Sequence, residues 1–243
     1  VTNQNDTKSI DKKGVIIAPS LAAGNLLRLQ DEILALEKAG ADALHFDVMD
    51  GHFVPLLTIG VPFLEQTRAL TKIHLDVHIM VSNPDLVAKD YLNAGADTLT
   101  FPIESGRHAR RLVDEIHDSG CKAGVAINPG TPWQQAIALL PVLDKVTIMG
   151  VNPGYSRQKH IETTAAKVSE LREHCTKIGL NNILIQVDGG VSLKNIRQLY
   201  LAGARDFVAG GAVFTGDLDS TRYAQSIGAL RGALALCAGS ANK

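Results

Sequence analysis

The sequence lacks the features that would tie it to a membrane, to nucleic acid or to an oxidising compartment. No stretch approaches the roughly 20 consecutive apolar residues of a bilayer span. The formal net charge is −1, with neither a basic excess nor a long acidic run, so nucleic acid is not an expected partner. Cysteine is scarce: Cys121, Cys175 and Cys237 are odd in number and far apart. They form neither a disulfide framework nor a zinc-ribbon spacing, which fits reduced thiols and a cytoplasmic location. Residues 1–13 are polar and mixed in charge, without the apolar core of a secretory signal, and are expected to form a solvated tail.

What remains is a chain of 243 residues that is 45% hydrophobic, enough for one large domain. Short apolar runs alternate with helical patterns. Val15–Pro19, Ala43–Val48, Ile73–Ile79, Thr98–Phe101, Ala123–Ile127, Lys145–Met149, Ile183–Val187 and Phe207–Ala209 read as strands. Strands this apolar are buried on both faces, as in a parallel sheet covered by helices. Between them, Leu26, Leu29, Ile33 and Leu36 fall on one helical face, with Asn25 as its N-cap. Leu86–Asn93, Arg107–Asp118 and Ala165–Lys177 are further helical segments. Ala39-Gly40-Ala41-Asp42, Ala94-Gly95-Ala96-Asp97 and Ala202-Gly203-Ala204-Arg205 repeat one helix-to-strand turn, with Gly suited to the left-handed residue that ends a helix. Eight such units predict an α/β fold, a (β/α)8 TIM barrel over residues 14–243.

A barrel places its active site at the carboxyl ends of its strands. The second strand ends in His45-Phe46-Asp47-Val48-Met49, the third in Asp76-Val77-His78-Ile79-Met80, and the seventh in Gln186-Val187-Asp188. Residues two apart on a strand share a face, so His45 and Asp47 point together, as do His78 and Met80. A lone histidine on an apolar strand is ordinarily a satisfied core residue. Two imidazoles and two carboxylates at one end also make a mixed nitrogen and oxygen set suited to Zn²⁺, Fe²⁺, Mn²⁺ or Co²⁺. Glycine-rich turns follow the late strands at Val151–Tyr155, Asp188-Gly189-Gly190 and Ala209-Gly210-Gly211. They are either tight turns or a backbone cradle for phosphate. The chain has three methionines, and all of them, Met49, Met80 and Met149, fall at strand ends, as core filling or as a soft, non-acidic collar.

These runs, together with Ile17-Ala18-Pro19-Ser20-Leu21, Asp47-Val48-Met49-Asp50-Gly51-His52-Phe53-Val54-Pro55 and Val151-Asn152-Pro153-Gly154, resemble the signatures of the ribulose-phosphate 3-epimerase family. The resemblance runs in the family's order from about Gly14 to the last helix. It implies one divalent metal ion held by His45, Asp47, His78 and Asp188. It further implies Asp47 and Asp188 as acid–base groups and Ser20 near the reacting carbons. His78, Met49, Met80 and Met149 would line the substrate. Gly189, Gly190, Gly210 and Gly211 would hold the phosphate, under a loop at Gly154. The implied partner is a small ketose phosphate, most simply D-ribulose 5-phosphate epimerised to D-xylulose 5-phosphate. Allulose 6-phosphate is an alternative, as is a barrel that only binds a phosphosugar. Assembly into a homo-oligomer is expected, without membrane or nucleic-acid contacts.

The chain departs from the family's usual pattern at several places. Leu56 stands for Asn, Pro102 for His, Gly150 for Ser or Thr, and Gly210-Gly211 for Gly-Ser. The loop reads Gly154-Tyr155-Ser156-Arg157-Gln158 where Gly-Phe-Gly-Gly-Gln is usual. None of these removes an implied ligand, but lost hydrogen-bonding groups imply an altered sugar preference. Arg157 is either solvated or a grip for phosphate. Related phosphosugar aldolases and decarboxylases would carry Asp-x-Lys-x-x-Asp at the third strand, and His74-Leu75-Asp76-Val77-His78 has no lysine.

Overall fold

The computed structural model describes residues 14–238; residues 1–13, expected to form a tail, lie outside the described residues. Eight parallel strands run β1 (Ile16–Pro19), β2 (Ala43–Met49), β3 (His74–Met80), β4 (Thr98–Pro102), β5 (Lys122–Ile127), β6 (Lys145–Met149), β7 (Leu184–Asp188) and β8 (Asp206–Ala209). Each pairs with its sequence neighbour, β8 pairs with β1, and a parallel bridge between Ser20 and His45 closes the ring. This is the TIM barrel. The strands lie near the positions expected, and β2, β3 and β7 end at Met49, Met80 and Asp188, the strand-end residues the sequence indicated.

Helices α1 (Leu29–Lys38), α2 (Val61–Leu70), α3 (Pro84–Asn93), α4 (Ala109–Asp118), α5 (Thr164–Lys177), α6 (Ile196–Leu201) and α7 (Ser220–Ala238) cover the sheet. Between β5 and β6 the described residues form only two 3-10 turns, Trp133–Ala136 and Leu140–Val142. Pro132 and Pro141 lack the N–H a continuing helix needs, so the fifth βα unit has no α-helix. One expectation fails at α1. Asn25 does cap, accepting from Leu27 N at 3.1 Å, but it caps a 3-10 turn. The helix proper starts at Leu29, so Leu26 is 61% exposed and the inward face is Leu29, Ile33 and Leu36. The three repeated turns place Gly40, Gly95 and Gly203 at φ +81°, +102° and +114°, the left-handed region their spacing implies.

The main core lies between the barrel wall and the helices, where Leu44, Phe46, Val77, Leu99, Phe101, Ile185 and Phe207 are buried. Alternate residues of the same strands point into the barrel, and there the polar side chains collect.

Candidate metal centre and active site

Register alone brings four functional groups to one rim. Asp47 pairs with His78 across β2 and β3, Met49 pairs with Met80, and Met149 pairs with Asp188 across β6 and β7. His45 lies one inward step below Asp47. One heteroatom from each of His45, Asp47, His78 and Asp188 falls within 4.8 Å of the others, and all four residues are buried.

The distances inside the cluster are informative. His45 Nε2 lies 3.6 Å from Asp47 Oδ1 and 3.6 Å from Asp188 Oδ2, and His78 Nδ1 lies 3.6 Å from Asp188 Oδ2. These gaps are too long for hydrogen bonds. His45 Nε2 and both ring nitrogens of His78 are accordingly buried without a hydrogen-bonding partner. Stranding buried polar atoms costs on the order of 1–3 kcal/mol each. Ligands about 2.1 Å from a tetrahedral ion sit about 3.4 Å from one another, so the same gaps suit a shared cation. The donor set therefore fits a divalent metal of the Zn, Fe, Mn or Co type.

The electrostatics agree. Burial opposes a charge on His45, but Asp47, Asp188 and Asp76 outweigh it and raise its pKa well above the ordinary imidazole value. Burial also works against the Asp188 carboxylate, and the His45 and His78 rings reverse it, holding the group well below the usual range. A field that favours a proton among these groups favours a divalent cation in its place.

A second polar cluster, which the sequence did not disclose, lies directly beneath. His45 Nδ1 is 2.9 Å from Asp76 Oδ2, a register partner on β3. Asp76 also takes an ion pair from Lys145 and a 2.7 Å hydrogen bond from Gln186 Nε2. Gln186 Nε2 donates to Asp206 Oδ2 at 2.9 Å, and Thr147 Oγ1 donates to Gln186 Oε1 at 2.8 Å. Lys145 holds Asp76 ionised against the penalty of burial. An ionised Asp76 accepts, so His45 Nδ1 donates and the Nε2 lone pair is turned to the rim. Asp206 is left to bear its desolvation, and its pKa rises to about 7.

Above the cluster a cavity of about 280 Å³ opens at the carboxyl ends of the strands. Its lining includes Ser20, Asp47, Met49, Met80, Met149 and Asp188 together with Gly154, Gly189, Gly190, Gly210 and Gly211. His45 and His78 lie beneath its floor, 0% and 1% exposed. Ser20 Oγ donates to Asp47 Oδ2 at 2.5 Å, fixing that carboxylate. Among the lining glycines, φ is +111° at Gly189 and +66° at Gly190, and a Cβ on Gly190 would meet the His160 backbone at 2.9 Å. The N–H groups of Gly190 and Gly211 donate to no protein acceptor among the described residues. A larger cavity of about 790 Å³ opens at the opposite, amino end of the barrel, bordered by the first residue of every strand. It holds none of the stranded imidazole nitrogens.

Two further residues acquire roles that spacing did not reveal. Asp50 Oδ1 accepts from His52 N and Phe53 N at 2.8 Å, and Oδ2 accepts from Ser82 N at 2.7 Å and Ser82 Oγ at 2.8 Å. These bonds, working against burial, lower its pKa to about 2 and tie the loop after β2 to the end of β3. His160 occupies space that Gly150 leaves open: a Cβ at Gly150 would meet Gly189 O at 2.4 Å and His160 Cε1 at 2.7 Å. His160 Nδ1 donates to Gly189 O at 2.8 Å, bracing the glycine turn. Among the departures from the family pattern, Ser156, Arg157, Gly210 and Gly211 line the cavity, while Leu56 and Pro102 do not.

Comparison with known proteins bears on the same features. A sequence model described as the ribulose-phosphate 3 epimerase family matches residues 16–214. The chain is 41% identical to the ribulose-phosphate 3-epimerase of Synechocystis sp., covering 90% of this chain and 94% of that protein. It is 42% identical to the one from Treponema pallidum, covering 90% and 100%. It is also 42% identical to the chloroplastic ribulose-5-phosphate-3-epimerase of Arabidopsis thaliana, covering 84% and 73%. Among solved structures, KGPDC from Streptococcus mutans superposes with TM-score 0.66 at 17% identity, covering 89% of this chain and 97% of that one. A 3-hexulose-6-phosphate synthase superposes with TM-score 0.61 at 17% identity, covering 90% and 97%. Identities this low speak to the fold alone.

Proposed function

Because the chain belongs to the ribulose-phosphate 3-epimerase family, and is therefore an isomerase of the epimerase kind, we propose that it interconverts D-ribulose 5-phosphate and D-xylulose 5-phosphate. The observation that carries the reading is the buried quartet of His45, Asp47, His78 and Asp188, whose imidazole nitrogens have no protein partner. Epimerisation next to a ketone removes a carbon-bound proton and returns it on the other face. A divalent cation bound by the quartet supplies Lewis acidity that makes this proton removable.

The chain's own groups do the rest. Asp47 and Asp188 reach the cavity from β2 and β7 and flank a planar enediolate, one per face. One carboxylate begins ionised and the other protonated, and they exchange roles with the direction of reaction. Their surroundings differ: Asp47 accepts from the Ser20 hydroxyl and faces His45 alone of the two imidazoles, while Asp188 faces both. Met49, Met80 and Met149 cover the reacting end without an acidic proton to quench the carbanion. Gly189, Gly190, Gly210 and Gly211 offer backbone N–H groups to the phosphate, with Gly154 on the loop above.

D-ribulose 5-phosphate is favoured over allulose 6-phosphate because the side chains lining the reacting end keep the family pattern, whereas Leu56 and Pro102 stand off the cavity. The reading fits pentose phosphate metabolism, in the cytoplasm and as a homo-oligomer, the last checkable by sedimentation. The direct test is a metal-replete assay on a panel of pentulose and hexulose phosphates in deuterated water. Preferred turnover of D-ribulose 5-phosphate with deuterium appearing at C3 is expected. Turnover of none of them, or a clear preference for a hexulose phosphate, would overturn it.

A further inference from the structure

Arg157 stands out for three reasons. It is a non-glycine residue with φ +60°, an uncommon backbone region for a residue with a side chain, and such outliers gather where a fold positions a functional group. It is also the only positively charged side chain among the described residues lining the rim cavity, whose other charged groups are the carboxylates Asp47 and Asp188. Finally, its guanidinium makes no ion pair or hydrogen bond among the described residues.

Its placement is fixed by its neighbours. Gln158 Nε2 donates to Asn152 O at 2.6 Å and to Tyr155 O at 2.9 Å, drawing the loop into a closed turn. Gly154 packs against Val54 and Pro55, so the loop rests on the segment after β2. The Arg157 stem crosses Gly211, whose Cβ, if present, would lie 3.9 Å from Arg157 Cγ. His160 braces Gly189, which lines the same cavity. A guanidinium beside the glycine turn adds a full positive charge to the partial charges of the backbone N–H groups, and a phosphate dianion would meet both together.

We propose that Arg157 is a specificity-determining residue that clasps the substrate's phosphate dianion against the Gly210-Gly211 turn, so that the phosphate end carries a side-chain charge as well as backbone N–H groups. A guanidinium offers two parallel donors to a phosphate. The clasp rests on the proposed ketose phosphate reading for its occupant, but it acts on phosphate binding and leaves the proton transfers alone. It favours phosphorylated ketoses over free ones through KM, with little effect on kcat.

The test compares the metal-replete wild type with Arg157→Gly, Arg157→Lys and Lys159→Gln. Arg157→Gly suits the left-handed backbone, and Lys159 is a neighbouring solvent-facing cation outside the cavity lining. Calorimetric titration with inorganic phosphate is expected to show binding about 10-fold weaker in Arg157→Gly. Arg157→Lys should be intermediate and Lys159→Gln unchanged. KM for the turned-over ketose phosphate should rise by a similar factor in Arg157→Gly with kcat held. Phosphate binding within two-fold of wild type in Arg157→Gly, or an equal loss in Lys159→Gln, would overturn the clasp. Phosphate titration needs no turnover. A protein that binds phosphate through Arg157 yet epimerises no ketose phosphate would therefore sink the proposed activity and leave the clasp standing.

Discussion

Two polar layers share the interior of one barrel, and they handle their hydrogen bonds in opposite ways. At the carboxyl rim, His45 Nε2 and His78 Nδ1 face carboxylates across 3.6 Å gaps, and neither they nor His78 Nε2 makes a hydrogen bond among the described residues. One step below, Asp76, Lys145, Thr147 and Gln186 interlock through ion pairs and hydrogen bonds near 2.8 Å. Both layers are buried and both mix charges, so composition does not separate them. Partners do: the rim imidazole nitrogens have none, while in the lower layer every side-chain polar atom except Asp206 Oδ1 is paired. His45 joins the two, with Nδ1 in the lower layer and Nε2 in the upper.

The sharpest way to break this contrast is to disable the upper layer alone. Asp188→Asn keeps shape and burial but removes an acid–base group, and turnover should fall by about 10² to 10⁴-fold with the thermal transition retained. Activity within a few-fold of wild type would refute the pair of carboxylates. The next effect probes the junction. Asp76→Asn alone strands the buried Lys145 ammonium, so Asp76→Asn with Lys145→Met is the cleaner variant. Metal affinity should drop about 10 to 100-fold, measured by chelator competition, because His45 loses the acceptor that orients it. Unchanged affinity would reduce the lower layer to packing.

A smaller effect is read as stability against pH. The fold keeps the Asp206 carboxyl protonated up to about pH 7, while the unfolded chain ionises it near the ordinary value of about 3.9. Between those limits the unfolded state releases a proton that the fold retains. Rising pH therefore costs stability, by at most about 1.4 kcal/mol per pH unit. Asp206→Asn keeps the oxygen that accepts from Gln186 and cannot ionise. Its melting temperature should match wild type near pH 4 and exceed it at pH 8; a constant difference would contradict the neutral carboxyl. The smallest effect is Thr147→Val, which frees Gln186 Oε1 and should cost about 1 kcal/mol by denaturant melts, with metal affinity unchanged.

The upper layer was legible in the sequence because its residues sit two apart at strand ends, as His45 with Asp47 and His78 with Met80 do. Alternation within one strand is a local property. The lower layer is spread over β3, β6, β7 and β8 with one or two members each. Lys145 and Asp206 open their strands, where polar residues are ordinary, and only the register across strands brings them to Asp76 and Gln186. The exchange of Gly150 and His160 was hidden for the same reason, since ten residues of loop separate two groups that fill one space. Leu26 was misplaced because helical spacing does not register that Asn25 starts a tighter turn. The missing helix after β5 was signalled by Pro132 and Pro141, which a count of strands passes over.

The proposed centre requires four side chains to share one ion. Equilibrium binding of Co²⁺ to the metal-free protein, followed by its visible absorption, tests that directly. One ion per chain is predicted for wild type, with the band and the stoichiometric binding lost in His78→Ala. Equal binding by wild type and His78→Ala, or none by either, would contradict a shared centre at the rim.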